Sequence, residues 1–371
     1  MAYFIGLMSG TSLDGVDGVL AETGLAGPPL QSRRHVHRSF PPDLREALLA
    51  LNHSGADELH RAAWAAQGLA ELYAEVVRAL LAAQGLPGSQ VRAIGAHGQT
   101  VRHQPAAFGD RGYTVQLMNG ALLAELTQID VVCDFRSRDV AAGGQGAPLV
   151  PAFHAASFQQ AGESRAVLNL GGIANLTLLP AGGEVGGFDC GPANVLMDLW
   201  CQRHTGRALD EGGRWAASGQ VDEALLATCL AEPFFALPPP KSTGRDLFNA
   251  AWLDSRLADG ITRRPVDVMA TLAALTARSA AAALLRQAPG TETLYVCGGG
   301  AYNEHLLALL RAALPRTRVD SSSSLGVAPD QVEALAFAWL AQACLERRPG
   351  NLPAVTGARG LRVLGAVYQA A

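Results

Sequence analysis

The sequence predicts an α/β protein of two lobes, and three observations carry that expectation. Short apolar strands alternate with helical segments along the chain, the pattern of α/β layers. The chain runs to 371 residues, too long for one ordinary core, and its 49% hydrophobic content is ample for two. A strand, a turn of small residues and a returning strand open the chain at Phe4 to Leu20 and recur at Ala166 to Leu179, so the two lobes begin alike.

The opening strand runs into Gly10-Thr11-Ser12-Leu13-Asp14-Gly15-Val16-Asp17. Gly10 and Gly15 let the backbone approach an anion, Thr11 and Ser12 supply donors, and Asp14 and Asp17 are placed to hold a metal ion directly or through water. A hairpin whose glycines only set the turn type is the competing reading. Gly24 to Pro29 and Pro41-Pro42 then punctuate a connector. From about Asp57 to Gln84, Leu69, Leu72, Val76 and Leu80 recur at helical spacing, and Gly85 stands where the helix stops. Val91 to Ala96 is a strand ending in His97-Gly98-Gln99-Thr100; Tyr113 to Met118 leads into a helix near Asn119, and Ile129 to Phe135 is a third strand.

The loop Ala141 to Gly146 precedes Pro148 and the apolar segment Leu149 to Phe158, which places a boundary near Ala161. The expected lobes are 1–160 and 161–349, with the tail 350–371 packing back on the first. In the second lobe Gly187 to Pro192 closes a strand and opens a helix through Ala193 to His204, with Pro192 early in that helix. Asp267 to Gln287 reads as a buried helix. Leu294 to Cys297 ends in Gly298-Gly299-Gly300-Ala301-Tyr302-Asn303, whose helix continues to Ala313, and Asp330 to Leu345 forms a last helix.

Charge narrows the function. Charged residues make up 17%, 33 acidic side chains face 29 basic ones for a net charge of −4, and no basic block tracks a nucleic-acid backbone, so no nucleic-acid partner is expected. No export signal opens the chain and no apolar run has the length of a membrane span, so a membrane partner is not expected either. The six cysteines are scattered without ligand spacing, which argues against zinc and for reduced thiols in the cytoplasm.

Each of the three glycine turns directly follows a strand, where α/β proteins bind ligands. Two suit phosphates; the third, Gly298 to Gly300 with Asn303, suits either an adenine ring or close strand-to-helix packing. Asp189 ends a strand beside Gly191, as a candidate general base or as a capping residue for the following amides. His97, Gln99 and Thr100 cluster donors and acceptors suited to a polyhydroxylated ligand. Arg136 and Arg138 follow a strand, positioned either to grip a carboxylate or phosphate or to form a solvated charge run. Pro238-Pro239-Pro240 stiffens a loop presenting Lys241, Ser242 and Thr243, for which an ordinary helix start is the alternative. Glu333 sits in a first helical turn, where the dipole alone favours a carboxylate.

Taken in order, Gly10 to Asp17, Gly95 to Val101, Ala141 to Pro148, Asn169 to Asn175, Gly187 to Asn194, Pro238 to Arg245, Gly298 to Asn303 and Val332 to Leu340 resemble the anhydro-N-acetylmuramic acid kinases over nearly the whole chain. The resemblance implies an actin-like ATPase fold of the sugar-kinase type, with two ribonuclease-H-like lobes and an interlobe cleft for ATP and Mg2+. It implies hydrolytic opening of the 1,6-anhydro ring coupled to phosphorylation of the freed 6-oxygen, and a homodimer. On this resemblance Asp189 deprotonates the attacking water. ATP and its phosphates fall to Gly10 through Asp17, Gly171, Gly172, Asn175, Lys241, Gly298, Gly299, Gly300 and Asn303, with Mg2+ at Asp14 and Asp17; the sugar falls to His97, Thr100, Arg136, Arg138 and Glu333. Ala193 departs from the family pattern, which has glycine there. Two rivals remain at this stage: a kinase of an intact hexose, and a nucleotide-gated assembly protein, for which the chain has no spare peptide-binding segment.

Overall fold

A computed structural model describes residues 2–10, 13–24, 30–109 and 112–371; Thr11, Ser12 and the 25–29 part of the first connector lie outside the described residues. In chain order the strands are β1 (Tyr3–Met8), β2 (Gly15–Thr23), β3 (Leu30–Ser39), β4 (Val91–Ala96), β5 (Gln99–Gln104), β6 (Tyr113–Leu117), β7 (Val131–Cys133), β8 (Arg165–Leu170), β9 (Ile173–Leu179), β10 (Gly186–Pro192), β11 (Thr293–Cys297), β12 (Arg318–Ser321) and β13 (Ala366–Tyr368). The chain divides into two compact units, Met1–Ser157 with Gln331–Ala371, and Phe158–Asp330.

In the first unit the sheet order is β13-β7-β4-β1-β2-β3. β1, β2 and β3 form an antiparallel meander, β4 and β7 continue in parallel beside β1, and β13 pairs antiparallel with β7. β5 and β6 form a separate hairpin. The second unit repeats the theme in the order β10-β9-β8-β11-β12, with an antiparallel meander of β8, β9 and β10 and parallel β11 and β12. Each unit therefore has the ribonuclease-H-like order of an antiparallel triple flanked by parallel strands, and the recurring strand–turn–strand of the sequence is the first hairpin of each.

Packing in the first unit exploits the alternation of a strand. Ile5 and Leu7 of β1 join the core with Leu69, Tyr73, Val76 and Leu80 of the helix Glu58–Gln84, each such aliphatic burial contributing about 1.5–3 kcal/mol. Gly6, between them, meets the helix Val332–Leu345, and a Cβ there would lie 1.8 Å from the Ala334 carbonyl oxygen. Gly95 of β4 is equally tight, with Phe337 O at 2.0 Å from such a Cβ. That backbone-to-helix contact corrects the expected lobe 161–349: the last long helix belongs to the first unit, and the second ends at Asp330.

In the second unit the helix Pro265–Gln287 packs its Val268, Leu272, Leu275 and Leu284 among Leu168, Leu170, Leu176 and Phe188. By length and composition it would span a membrane, yet 78% of its apolar window is buried within the protein. Among the described residues no cysteine forms a disulfide: Cys133, Cys190, Cys201, Cys229 and Cys297 are buried, and Cys344 is half-buried.

Candidate active site

The first unit gathers its polar residues at the ends of β1 and β4. Ser9, just past β1, bonds the Tyr73 hydroxyl at 2.9 Å and donates to Gly98 O. Gln99 is 1% exposed and donates from Nε2 to Gly10 O at 3.1 Å, fastening the opening turn to the loop after β4. Across that turn Gly15 is required, since a Cβ would stand 2.3 Å from Arg38 O on β3. Leu13 (φ 56°) is buried, Val16 lies in the core of β2, and Asp14 is exposed, its Oδ1 accepting from the Gly15 amide. The Asp17 Oδ1 bonds His35 Nε2 and His37 Nδ1 on β3.

His97 is 4% exposed, its ring 4.7 Å from that of Phe337. Its Nε2 accepts from Arg136 Nε and Nη2, so its one proton sits on Nδ1. Burial first, and the Arg136 charge second, push its pKa down to about 3. Arg136 also donates Nη1 to Gly146 O at 2.8 Å. Burial lowers the guanidinium to about 10, against the opposing pull of Glu333 and Asp139. Glu333 is half-buried; desolvation raises its pKa, Arg136 lowers it, and Asp17 and Asp14 raise it, so the helix start, the opening turn and Arg136 share one electrostatic neighbourhood. Thr100 accepts from Gln116 Nε2 on the β5–β6 hairpin, and Arg138 is exposed on the short helix Ser137–Ala141.

Asp139, next to Arg138 in the chain, is fully buried. Its Oδ1 accepts from Asn351 and Thr356 and its Oδ2 from the Gly146 amide, so it seals the glycine loop that receives Arg136 to the C-terminal segment.

In the second unit, register aligns Asn169 on β8 with Asn175 on β9, and Asn175 with Asp189 on β10, so three polar side chains stand in a row on one face. β11 sets Cys297 beside Asn169, and Gly298 follows with φ 78°; a Cβ there would lie 2.4 Å from Asn169 Oδ1. Gly300 likewise admits Leu170, whose Cβ would be 2.6 Å from its own. Close packing thus explains Gly298 and Gly300, and Gly299 is the more open of the three. Asn303 caps the helix Glu304–Ala313 by accepting from the Leu306 amide.

Gly171 and Gly172 lend their carbonyls to the amides of Asn194, Ala193 and Val195, so this turn is bonded to the start of the helix Asn194–Thr205. Pro192, expected inside that helix, is the last residue of β10. Ala193, just before that helix, has φ −108° and ψ −104°, a pair that lies outside the α and β regions although its φ is negative.

Asp189 precedes an irregularity in the β10 ladder, where the register shifts before Gly191. It caps nothing on the following helix. Instead its Oδ2 accepts from the Thr243 amide at 2.9 Å, and its own amide donates to Lys241 O at 3.1 Å. Burial raises its pKa to about 6, against the lowering pull of the Thr243 amide and Lys241. The Lys241 ammonium donates to Phe234 O and Phe235 O and lies 4.5 Å from the Phe234 ring centroid. Asn169 Oδ1 and Thr243 Oγ1 are buried and find no hydrogen-bond partner among the described residues. A half-buried carboxylate with near-neutral basicity, one oxygen fixed by an amide, is equipped to take a proton from water.

A family model described as anhydro-N-acetylmuramic acid kinase matches residues 2–370. Proteins named anhydro-N-acetylmuramic acid kinase are 60% identical over 372 residues in Variovorax paradoxus (strain S110), covering 99% of both chains, and 62% identical over 370 residues in Bordetella petrii, covering 99% of this chain and 96% of that one. The protein of that name from Cupriavidus metallidurans is 55% identical over 370 residues, covering 98% and 97%.

Proposed function

The chain belongs to the anhydro-N-acetylmuramic acid kinase family, and from that premise we infer how its residues divide the work. The reaction opens the 1,6-anhydro bridge of anhydro-N-acetylmuramic acid with water and phosphorylates the freed 6-oxygen from ATP, giving N-acetylmuramic acid 6-phosphate and ADP in cell-wall recycling. The observation that carries the assignment of roles is Asp189, held by Thr243 on one oxygen and raised by burial toward neutrality.

Asp189 takes a proton from a water whose oxygen bonds the anomeric carbon. The bond from that carbon to the 6-oxygen breaks, its electron pair passing to the 6-oxygen, which bonds the γ-phosphorus as the bond to the ADP oxygen breaks. Strain in the bicyclic acetal helps the leaving step, and base assistance is worth ~10²–10⁴ in rate. In the first unit Arg136 and Glu333 take the sugar side, with Thr100 and Arg138 as further contacts and neutral His97 as the support that aims Arg136.

The opening turn with Gly171, Gly172 and Asn175 takes the phosphates, and Gly299, the open member of its triplet, lies against the adenine. Asp14 suits Mg2+ through water because its carboxylate is exposed, whereas the Asp17 Oδ1 already serves two histidines. Magnesium there would neutralise charge on the β- and γ-phosphates. The protein acts as a homodimer in this reading, in the cytoplasm, where cysteines held out of disulfides are expected.

Incubation with ATP, the anhydro-sugar and heavy-oxygen water tests the chemistry. Label at the anomeric hydroxyl of the product is expected; its absence, with phosphorylated sugar formed, would replace ring hydrolysis by simple transfer to an intact hydroxyl.

A further inference from the structure

We propose that Lys241 is a positioning residue for Asp189, anchoring the loop that grips this aspartate by both its main chain and its side chain. The proposal rests on the reading of Asp189 as the base, and it assigns Lys241 a task other than phosphate contact.

Three observations meet in this loop. The ammonium is already committed, 3.0 Å from Phe234 O, 3.3 Å from Phe235 O and 4.5 Å from the Phe234 ring centroid. Turning it toward a phosphate would give up two charge-assisted hydrogen bonds and a cation–π contact. Second, the residue so anchored is the one whose carbonyl receives the Asp189 amide, at 3.1 Å. Third, two residues on, the Thr243 amide donates to Asp189 Oδ2 at 2.9 Å. Lys241 and Thr243 therefore fix the backbone and one carboxylate oxygen of Asp189, leaving Oδ1 to face a water.

The receiving surface for the ammonium is itself built. Phe234 and Phe235 pack on Phe248 with ring centroids 5.9 and 5.8 Å away, and Arg286 donates Nη1 to Phe235 O at 3.0 Å. Gly191 lets Phe235 approach β10, where a Cβ would meet its Cε1 at 2.7 Å. The charged or titratable groups that act on Asp189 and on this anchor are Lys241, Arg286 and the Cys190 thiol. That thiol is pushed up by burial and stays neutral, so Lys241 is the cation whose charge holds the Asp189 carboxyl down.

The deciding measurement is a ¹³C NMR titration of the aspartate carboxyls in the full chain, with the Asp189 signal assigned by its loss in Asp189→Asn. In Lys241→Met the Asp189 midpoint moves up, the direction expected when an opposite charge is removed, while calorimetry shows unchanged ATP affinity. Lys241→Arg, which keeps a cation on the same carbonyls, returns most of the shift. An unmoved midpoint in Lys241→Met overturns the proposal, as does a loss of ATP affinity without that movement, which would give the ammonium to a phosphate. Turnover of Asp189→Asn is a separate readout: if that variant were fully active the base assignment would fall, and the titration would still decide whether Lys241 governs this carboxyl.

Discussion

Arg136 directs two donors, Nε and Nη2, at a single acceptor, His97 Nε2, at 3.1 and 2.9 Å. A guanidinium can do this while a third nitrogen reaches Gly146 O, because its donors are spread over a rigid planar fork; a lysine ammonium gathers its donors at one nitrogen and lacks that reach. Arg136→Lys therefore strands one of the two acceptors at a cost of about 1–3 kcal/mol. The expected outcome is a Michaelis constant for the amino sugar raised by about 10–100-fold with the constant for ATP little changed, read from steady-state kinetics with each substrate varied in turn.

Asp189→Asn keeps the amide-held oxygen and removes the base. Turnover should fall by ~10²–10⁴ while calorimetric ATP binding persists. In the parent enzyme, protonation of Asp189 gives kcat/KM an acid limb near pH 6 that should vanish from the residual activity of the variant. A near-normal rate in Asp189→Asn would remove this residue from the role assigned above.

Stability should fall as the solution is acidified below about pH 6.5. His97 and His154 are both pushed to about 3 by burial, so between about 3 and 6.5 the unfolded chain binds protons that the folded one refuses. Their contribution is complete above the unfolded value and is lost on the way down, at up to about 1.4 kcal/mol per pH unit for each. Asp189 has the opposite sign: raised to about 6, it favours the folded state at low pH and loses that contribution as pH rises through about 6. It therefore offsets part of the histidines' slope below pH 6. Scanning calorimetry from pH 7.5 to 5 should show the decline, and His154→Gln should flatten it.

Gly95→Ala tests the corrected boundary of the units. A methyl there meets the Phe337 carbonyl oxygen at 2.0 Å, a backbone atom that cannot turn aside. Loss of about 3 kcal/mol or more, or failure to fold, is expected from overpacking of this kind, measured as the urea midpoint. The same substitution at Gly172, where a Cβ meets nothing within 4 Å, is the control.

What could be read from the sequence was what has a local cause. The helix Glu58–Gln84 announced itself through Leu69, Leu72, Val76 and Leu80 and the stop at Gly85, whose φ is 67°. The paired strand–turn–strand openings proved to be the first hairpins of two like sheets. β3 escaped notice because Leu30–Ser39 is an edge strand studded with Arg33, Arg34, His35, His37 and Arg38, charges that protect an edge and erase strand periodicity. The membership of Val332–Leu345 in the first unit turns on Gly6 and Gly95, more than two hundred residues away, where no window can see it. The site divides the same way. His97, Arg136, Glu333 and Asp189 stand out by residue type at strand and helix ends. The Thr243 amide that holds Asp189 lies 54 residues along the chain, and an amide leaves no mark in a sequence. Asn169 was visible only as part of a motif, and its place beside Asn175 emerges from strand register.

The seal made by Asp139 has a practical consequence for anyone handling this protein. Because Asn351 and Thr356 clasp that buried carboxylate and β13 completes the sheet edge beside β7, the segment 351–371 is upholstery of the lobe that carries Arg136. Trimming the chain at Arg348 would unseat the Gly146 loop from behind.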